Sequence, residues 1–303
     1  MRAGKRPAAG RKRGTEIAVE ALIRALGFST VALVALIFVF LLREGMPAFF
    51  TISPGNLFST AWYPTFGFFG TLPLILGSLI VTVAAVIIAL PLGVATAVFV
   101  REVAPQWMRE ILKPLIEVLA GIPSVVLGFF GMTMIAPFVR QILGAPTGLT
   151  AFTGALVLAY MSLPTIISVA EDALDAVPKS YRDAGLAMGA TKWQTIWRVV
   201  VPAARSGILT AVMLGTGRAI GETMAVMMVT GNAARMPIGL SALFKPVRTM
   251  TATIAAEMGE VARGGIHYRT LFAIGIILFI ITFLINLAAA TAIFQKRRQG
   301  GLR

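Results

Sequence analysis

Six runs of mostly apolar residues punctuate the chain: Ala25–Leu42, Thr71–Val100, Leu115–Val139, Thr150–Ala170, Ile208–Val229 and Leu271–Phe294. A helix of about 20 residues crosses a hydrocarbon core of about 30 Å. The pattern therefore predicts an all-α, polytopic membrane protein of about six transmembrane helices. The period-two alternation of an outer-membrane barrel is missing. The second run is longer than one crossing needs and contains Pro91, which predicts a kink or an early end. Gly121-Ile122-Pro123-Ser124 predicts a break or kink in the third span, leaving backbone groups that a cavity can use.

The intervening polar stretches divide the chain. Residues 1–24 form a basic tail, predicted to be disordered to about Gly14; residues 25–70 hold the first span and an outside segment. A transmembrane domain covers 71–295 and includes a polar loop at 171–207, and 296–303 is a basic C-terminus. The tail and first run resemble a long signal peptide, but Arg43-Glu44-Gly45 offers no small-residue cleavage site, so the first span reads as retained.

Composition sharpens this picture. The 303 residues are 57% hydrophobic and 13% charged, with a net charge of +14. With both termini inside, 19 of the 27 Lys and Arg fall in inside segments and 7 in outside ones, and Arg218 lies within a span. That bias is a topology signal facing acidic lipid, and it argues against nucleic-acid binding. Cysteine is absent and His267 is the only histidine, so no thiolate or histidine-cluster metal site can form and His267 reads as a satisfied polar residue.

The 171–207 loop reads as helix, glycine turn, helix. Ser180 and Asp183 have the spacing of a capping box, as do Thr191 and Gln194. Gly189 suits the left-handed position that ends the first helix, and Pro202 is placed to stop the second. Tyr181, Ala184, Gly185 and Met188 share one face of the first helix. That face either docks in another protein's groove, with Tyr181 and Met188 as anchors, or packs on the chain's own spans. A DNA-binding helix-turn-helix is disfavoured by the spans on both sides.

Arg218 is the one basic residue placed inside a span, where a charge is costly. If that span is a continuous helix, Glu222 lies one turn further on the same face and can pair with it. Gly217 and Gly221 form a GxxxG step that admits a helix or substrate close to the backbone. The pair is either a structural ion pair or part of an anion path, with the guanidinium fork suited to an oxyanion and Glu222 able to neutralise Arg218 when the site is empty or to accept a hydrogen bond from a substrate that still carries a proton. Ser124, Ser162 and Thr223 are further candidates for polar lining, and Met224, Met227 and Met228 for packing. The outside segment 231–270 is predicted to carry a helical patch near Met250–Val261, and it either meets a soluble binding protein or caps the bundle.

Two resemblances extend this reading. Asp183-Ala184-Gly185, then Gly189 after three residues, then Val199-Val200-Val201-Pro202 resembles the EAA loop of ABC import permeases. That pattern runs Glu-Ala-Ala, three residues, Gly, nine residues, Ile, one residue, Leu-Pro. The spacing matches, with Asp for Glu, Gly for the second Ala and Val for Ile and Leu. The resemblance implies that Tyr181, Asp183, Ala184, Gly185, Met188 and Gly189 belong to a coupling helix that docks on an ATP-binding subunit.

The run from Gly217 to Val226, continuing to Thr230-Gly231-Asn232, resembles the phosphate-specific (Pst) permeases of the PstC type; so do Ala120–Gly131 and Phe279–Asn286. This resemblance covers most of the chain from about Gly70 onward. It implies a type I ABC importer permease (MetI-like) architecture in the cytoplasmic (inner) membrane, and phosphate passage involving Arg218, Glu222, Thr223 and Ser124. It also implies a second, PstA-like permease subunit, an ATP-binding subunit dimer and an extracytoplasmic phosphate-binding protein. The chain carries no Walker A pattern, so ATP belongs to the partner and no cofactor is expected here. An ABC permease for molybdate or sulfate, or an ion-coupled secondary transporter using Glu222, are the competing readings. No nucleophile–base pair in the spans suggests an enzyme.

Overall fold

The computed structural model describes residues 9–300, and they are mostly helical. Residues 1–8 of the basic tail and 301–303 of the C-terminus lie outside the described residues. From Ala9 the chain is already helical, where composition predicted disorder to Gly14: the helix that crosses the membrane simply extends backwards as α1 (Ala9–Thr51).

After α1 come a single turn, α2 (Pro54–Leu57), and a two-residue hairpin of β1 (Trp62–Tyr63) and β2 (Phe68–Phe69), paired antiparallel. The second span is α3 (Leu72–Val98), which passes through Pro91 without ending and closes in a π-helical turn, Phe99–Val103. The third predicted span divides in two. Its first residues belong to a separate helix, α4 (Gln106–Ala120), with Trp107, Ile111, Leu115 and Val118 exposed on one face. The break at Gly121–Pro123 then starts the span itself, which comprises α5 (Ser124–Phe130), a π turn over Gly131–Ile135, and α6 (Ala136–Leu143). Proline has no amide to donate, which suits Pro123 to the position that caps the start of α5, where that amide would be left without a helical partner.

The fourth span is α7 (Ala151–Asp175), followed by a short polar helix, α8 (Lys179–Ala187). A second helical run starts with α9 (Lys192–Thr195), passes through a π turn at Ile196–Val200, and ends with α10 (Val201–Ala203). At Ala204 it bends by 69° into α11 (Arg205–Gly221). The fifth span then continues, after a break, as α12 (Met224–Val229); α13 (Met250–Glu257) and α14 (Ile266–Gly300) complete the chain. Among the described residues five helices are long and apolar enough to cross a membrane, or six if the bent pair counts as one.

The centre of the bundle is α7, which packs on α3 and α11 through small side chains. Val81, Ala85 and Ala89 of α3 meet Ala151, Ala155, Leu158, Ala159 and Ile166 of α7, joined by Ala219 and Val226. Helices in lipid gain little from burying apolar surface alone, so close approach through small residues is what holds them. At the edge, α1 lies along α14 with Phe38 and Phe279 rings 4.7 Å apart. The other faces of α1 expose Val31, Leu36 and Ile37, as suits a helix bathed in hydrocarbon.

The two ends of the bundle differ. At one end Trp62 is buried with Leu57, Phe69, Leu74, Met250 and Leu271. Glu257 there accepts from the Trp62 indole (3.2 Å), pairs with Arg248 (2.9 Å) and bonds His267 (2.8 Å). His267 thus has the satisfied polar role read from the sequence. The opposite end carries the α8–α10 hairpin. There Lys113 of α4 reaches Glu171 (3.3 Å) and Asp172 (3.8 Å) of α7. Burial works against the Lys113 ammonium, but Glu171 and its hydrogen bond, then Asp172 and Glu117, outweigh it and hold the group above its ordinary value.

Candidate functional site

The fifth span does not run straight through its charged stretch. Helix α11 stops at Gly221, Glu222 is extended (φ −69°, ψ 132°), and Thr223 leads into α12. Such breaks survive at membrane depth only where the freed backbone groups find partners. Here they do. Glu222 Oε1 accepts the amides of Met224 (3.1 Å) and Ala225 (3.3 Å), and the Glu222 carbonyl accepts the Thr251 hydroxyl of α13 (3.0 Å). Thr223 Oγ1 donates back to the Gly221 carbonyl at 3.2 Å.

This geometry corrects the expected pairing of Arg218 with Glu222. The one-turn spacing requires a continuous helix from 218 to 222, and the chain leaves the helix before Glu222. Arg218 instead donates from Nη1 to Thr165 Oγ1 of α7 at 3.1 Å. Among the described residues no carboxylate pairs with it. A half-buried guanidinium midway along a span, with one donor spent on a neutral hydroxyl, retains most of its capacity to bind an oxyanion.

The remaining pathway candidates are spread around the break. Ser124 is half-buried at the start of α5, the helix packed against α12. That contact is close: a Cβ on Gly128 of α5 would lie 2.8 Å from the Ala225 backbone and 3.0 Å from Met228 sulfur. Met228 therefore packs, whereas Met224 is 40% exposed. Ser162 of α7 is buried and its hydroxyl has no hydrogen-bond partner among the described residues. A cleft of about 590 Å³ between α5 and α7 is lined by apolar side chains such as Val126, Phe130 and Leu156, with Tyr160 its one hydroxyl; neither Arg218 nor Glu222 lines it.

In the hairpin, Thr191 and Gln194 form the predicted reciprocal capping box. Gly189 has φ +81°, the left-handed conformation that ends α8. Two expectations fail. Ser180 does not cap α8, because Pro178 takes the cap position and the helix starts at Lys179. Pro202 does not stop the second run, which continues to Ala203 and turns at Ala204. The small-residue face is also split. Tyr181, Ala184 and Met188 are exposed, Met188 at 88%, and so is Asp183 on the adjoining flank. Gly185 turns inward, where an added Cβ would meet Thr195 of the second run at 2.9 Å. Leu186, Trp193 and Trp197 add exposed apolar surface.

Sequence reasoning missed three partners. Thr165 and Thr251 were ordinary span and loop residues until the fold brought them to Arg218 and Glu222. The third is the pair Arg182–Glu102, 80 residues apart in the chain. Its available signal was a carboxylate at the end of an apolar run.

Broken, small-residue-packed spans around an arginine that pairs with no carboxylate among the described residues, with a polar helical hairpin at one end, are features of a membrane permease. The chain belongs to the family of binding-protein-dependent transport system inner membrane components, whose pattern it matches over residues 89–299. It is 41% identical over 274 residues to the probable ABC transporter permease protein YqgH of Bacillus subtilis, covering 89% of this chain and 88% of that protein. It is 37% identical over 290 residues to the phosphate transport system permease protein PstC of Mesorhizobium japonicum, with the same coverage. The fold is that of a bacterial alginate ABC transporter bound to its periplasmic protein (TM-score 0.62, 15% identity, 91% and 94% of the two chains). It is also that of the inward-facing MetNI methionine ABC transporter (TM-score 0.60, 18% identity, 78% and 99%).

Proposed function

We propose that this chain is a permease subunit of an ATP-driven importer and forms part of the path for inorganic phosphate across the cytoplasmic membrane. The observation that carries the reading is Arg218, a permanent cation midway along a span, oriented by Thr165 and joined to no carboxylate among the described residues. Such a charge is costly in lipid unless an anion visits it. Among the described residues Glu222 does not pair with it and instead accepts the amides that hold the break open. A carboxylate near the path favours an oxyanion that still carries a proton at neutral pH, as phosphate does and sulfate does not. Similarity to PstC proteins supports the same substrate.

The exposed face of α8 is the surface for a separate ATP-binding subunit dimer, with Tyr181 and Met188 as its projecting apolar groups. That assignment places the hairpin end and both termini in the cytoplasm, in line with the Lys and Arg bias. A second permease chain completes the wall of the path, and an extracytoplasmic phosphate-binding protein delivers the anion to the opposite end. The test is uptake of labelled phosphate into vesicles carrying the co-expressed complex. Uptake that requires internal ATP and ignores excess sulfate or molybdate is the expected result. Uptake driven by a proton gradient without ATP overturns it, and competition by sulfate or molybdate reassigns the substrate.

A further inference from the structure

At the hairpin end a buried charge serves neither the anion nor the core. Glu102 lies in the π turn that closes α3, and its side chain is 8% exposed. Arg182 of α8 grips it with Nε at 3.2 and 3.3 Å from the two carboxylate oxygens and Nη2 at 2.5 Å from Oε1. The same guanidinium donates to the Leu174 carbonyl in the last turn of α7 (2.9 Å) and to the Val177 carbonyl just beyond it (2.6 Å). One side chain thus ties together the end of the second span, the end of the fourth and the first helix of the hairpin.

This pair is poorly explained as a fastener for the spans. Burying two charges costs desolvation that apolar packing would avoid. The ends of α3 and α7 are already joined next to it by Arg101 and Asp175, and along their length by the small-residue interface. What Arg182 adds is α8. Among the described residues it supplies the side-chain hydrogen bonds that link α8 to the spans, and the rest of that helix is largely exposed. A planar fork bound at several points resists tilting, because no single bond can rotate without breaking the others. Further along α7 from Leu174, nine residues or roughly 14 Å at 1.5 Å per residue, Thr165 holds Arg218.

We infer that Arg182 and Glu102 form the joint that carries displacement of α8 into α3 and α7, and so to Arg218. Both are positioning residues for energy coupling. The inference rests on the reading of α8 as the ATPase docking helix. The experiment measures ATP hydrolysed per phosphate imported by the complete complex in vesicles, for wild type, Arg182→Lys and Glu102→Gln. Lysine keeps the charge but cannot make the four-way grip, and glutamine keeps the shape but not the charge. Both variants are expected to co-purify with the ATPase at the wild-type subunit ratio and to keep hydrolysing ATP. Phosphate moved per ATP should fall by roughly tenfold, the scale of a typical coupling between sites.

Equal falls in hydrolysis and uptake, unchanged coupling, or failure of both variants to assemble would each overturn the joint and leave a structural clamp. A cross-link between Cys at Met188 and the ATPase, made in the wild-type background, separates this from the parent reading. If it fails to form, α8 is not the docking helix. If it forms and the wild type imports a different anion, the ratio is taken with that anion and the joint is judged on it.

Discussion

Replacing Glu222 perturbs the break in the fifth span at its one capping side chain. Its Oε1 accepts two amides at the start of α12, from Met224 and Ala225. Glu222→Ala removes both bonds, and losing a capping side chain costs about 0.5–2 kcal/mol. Alanine is also the best helix former, so the substitution favours a continuous helix through 222 and 223 as it removes what holds the helix apart. A loss near 1 kcal/mol reduces the preference for the broken form about fivefold. It lowers the melting midpoint by about 2–4 °C for a domain of this size. Glu222→Gln keeps an oxygen where Oε1 stands and should retain most of the cap. The assay is thermal unfolding of the purified complex alongside phosphate uptake. The expected order of stability is wild type, then Gln, then Ala, with Ala losing uptake by about fivefold or more as the break closes. A Gln variant of normal stability that no longer transports would show that the carboxylate also handles the substrate's proton. An Ala variant equal to wild type in both measurements would refute the cap.

Three further outcomes follow from the same geometry. Gly185→Arg should split the hairpin, because even a Cβ there meets Thr195 at 2.9 Å; the ATPase should fail to co-purify while the chain still inserts, and normal co-purification would contradict this. A Cys placed at Ser241 should react with a reagent confined to the outside, and one at Gln194 should not; the reverse pattern would invert the topology. Glu257→Ala leaves Arg248, His267 and Trp62 without their shared acceptor, and removing one member of a largely buried pair costs about 3–5 kcal/mol, so the complex should melt at a clearly lower temperature, with unchanged melting as the refuting result.

Much of this architecture was legible in the chain, for reasons that differ by element. Apolar run length fixes the number of spans because lipid demands it, and Gly121–Pro123 announces a break because proline lacks an amide. The Thr191 box and the Gly189 turn are local, so local spacing finds them. The break at Gly221 was hidden. Glu and Thr are not strong helix breakers, and the groups that stabilise the gap include Thr251, which is distant in sequence. Reading that span as unbroken produced the expected Arg218–Glu222 pair. Ser180 failed as a cap because Pro178, already unable to donate, sits where a cap is wanted. For Gly185 spacing left open whether its face docks outward or packs within the chain, because spacing gives the face of a helix and not what that face meets. The Arg182–Glu102 link needs the fold itself, since nothing local pairs residues 80 positions apart in the chain.

The decisive measurement is labelled-phosphate uptake by the vesicle-embedded complex carrying Arg218→Gln, with Arg218→Lys beside it. Glutamine should leave assembly intact and reduce uptake by roughly two orders of magnitude, the scale of removing a charged partner from a desolvated anion. Lysine keeps the charge without the planar fork and should fall between glutamine and wild type. Full uptake by Arg218→Gln in a normally assembled complex would contradict a phosphate path at Arg218.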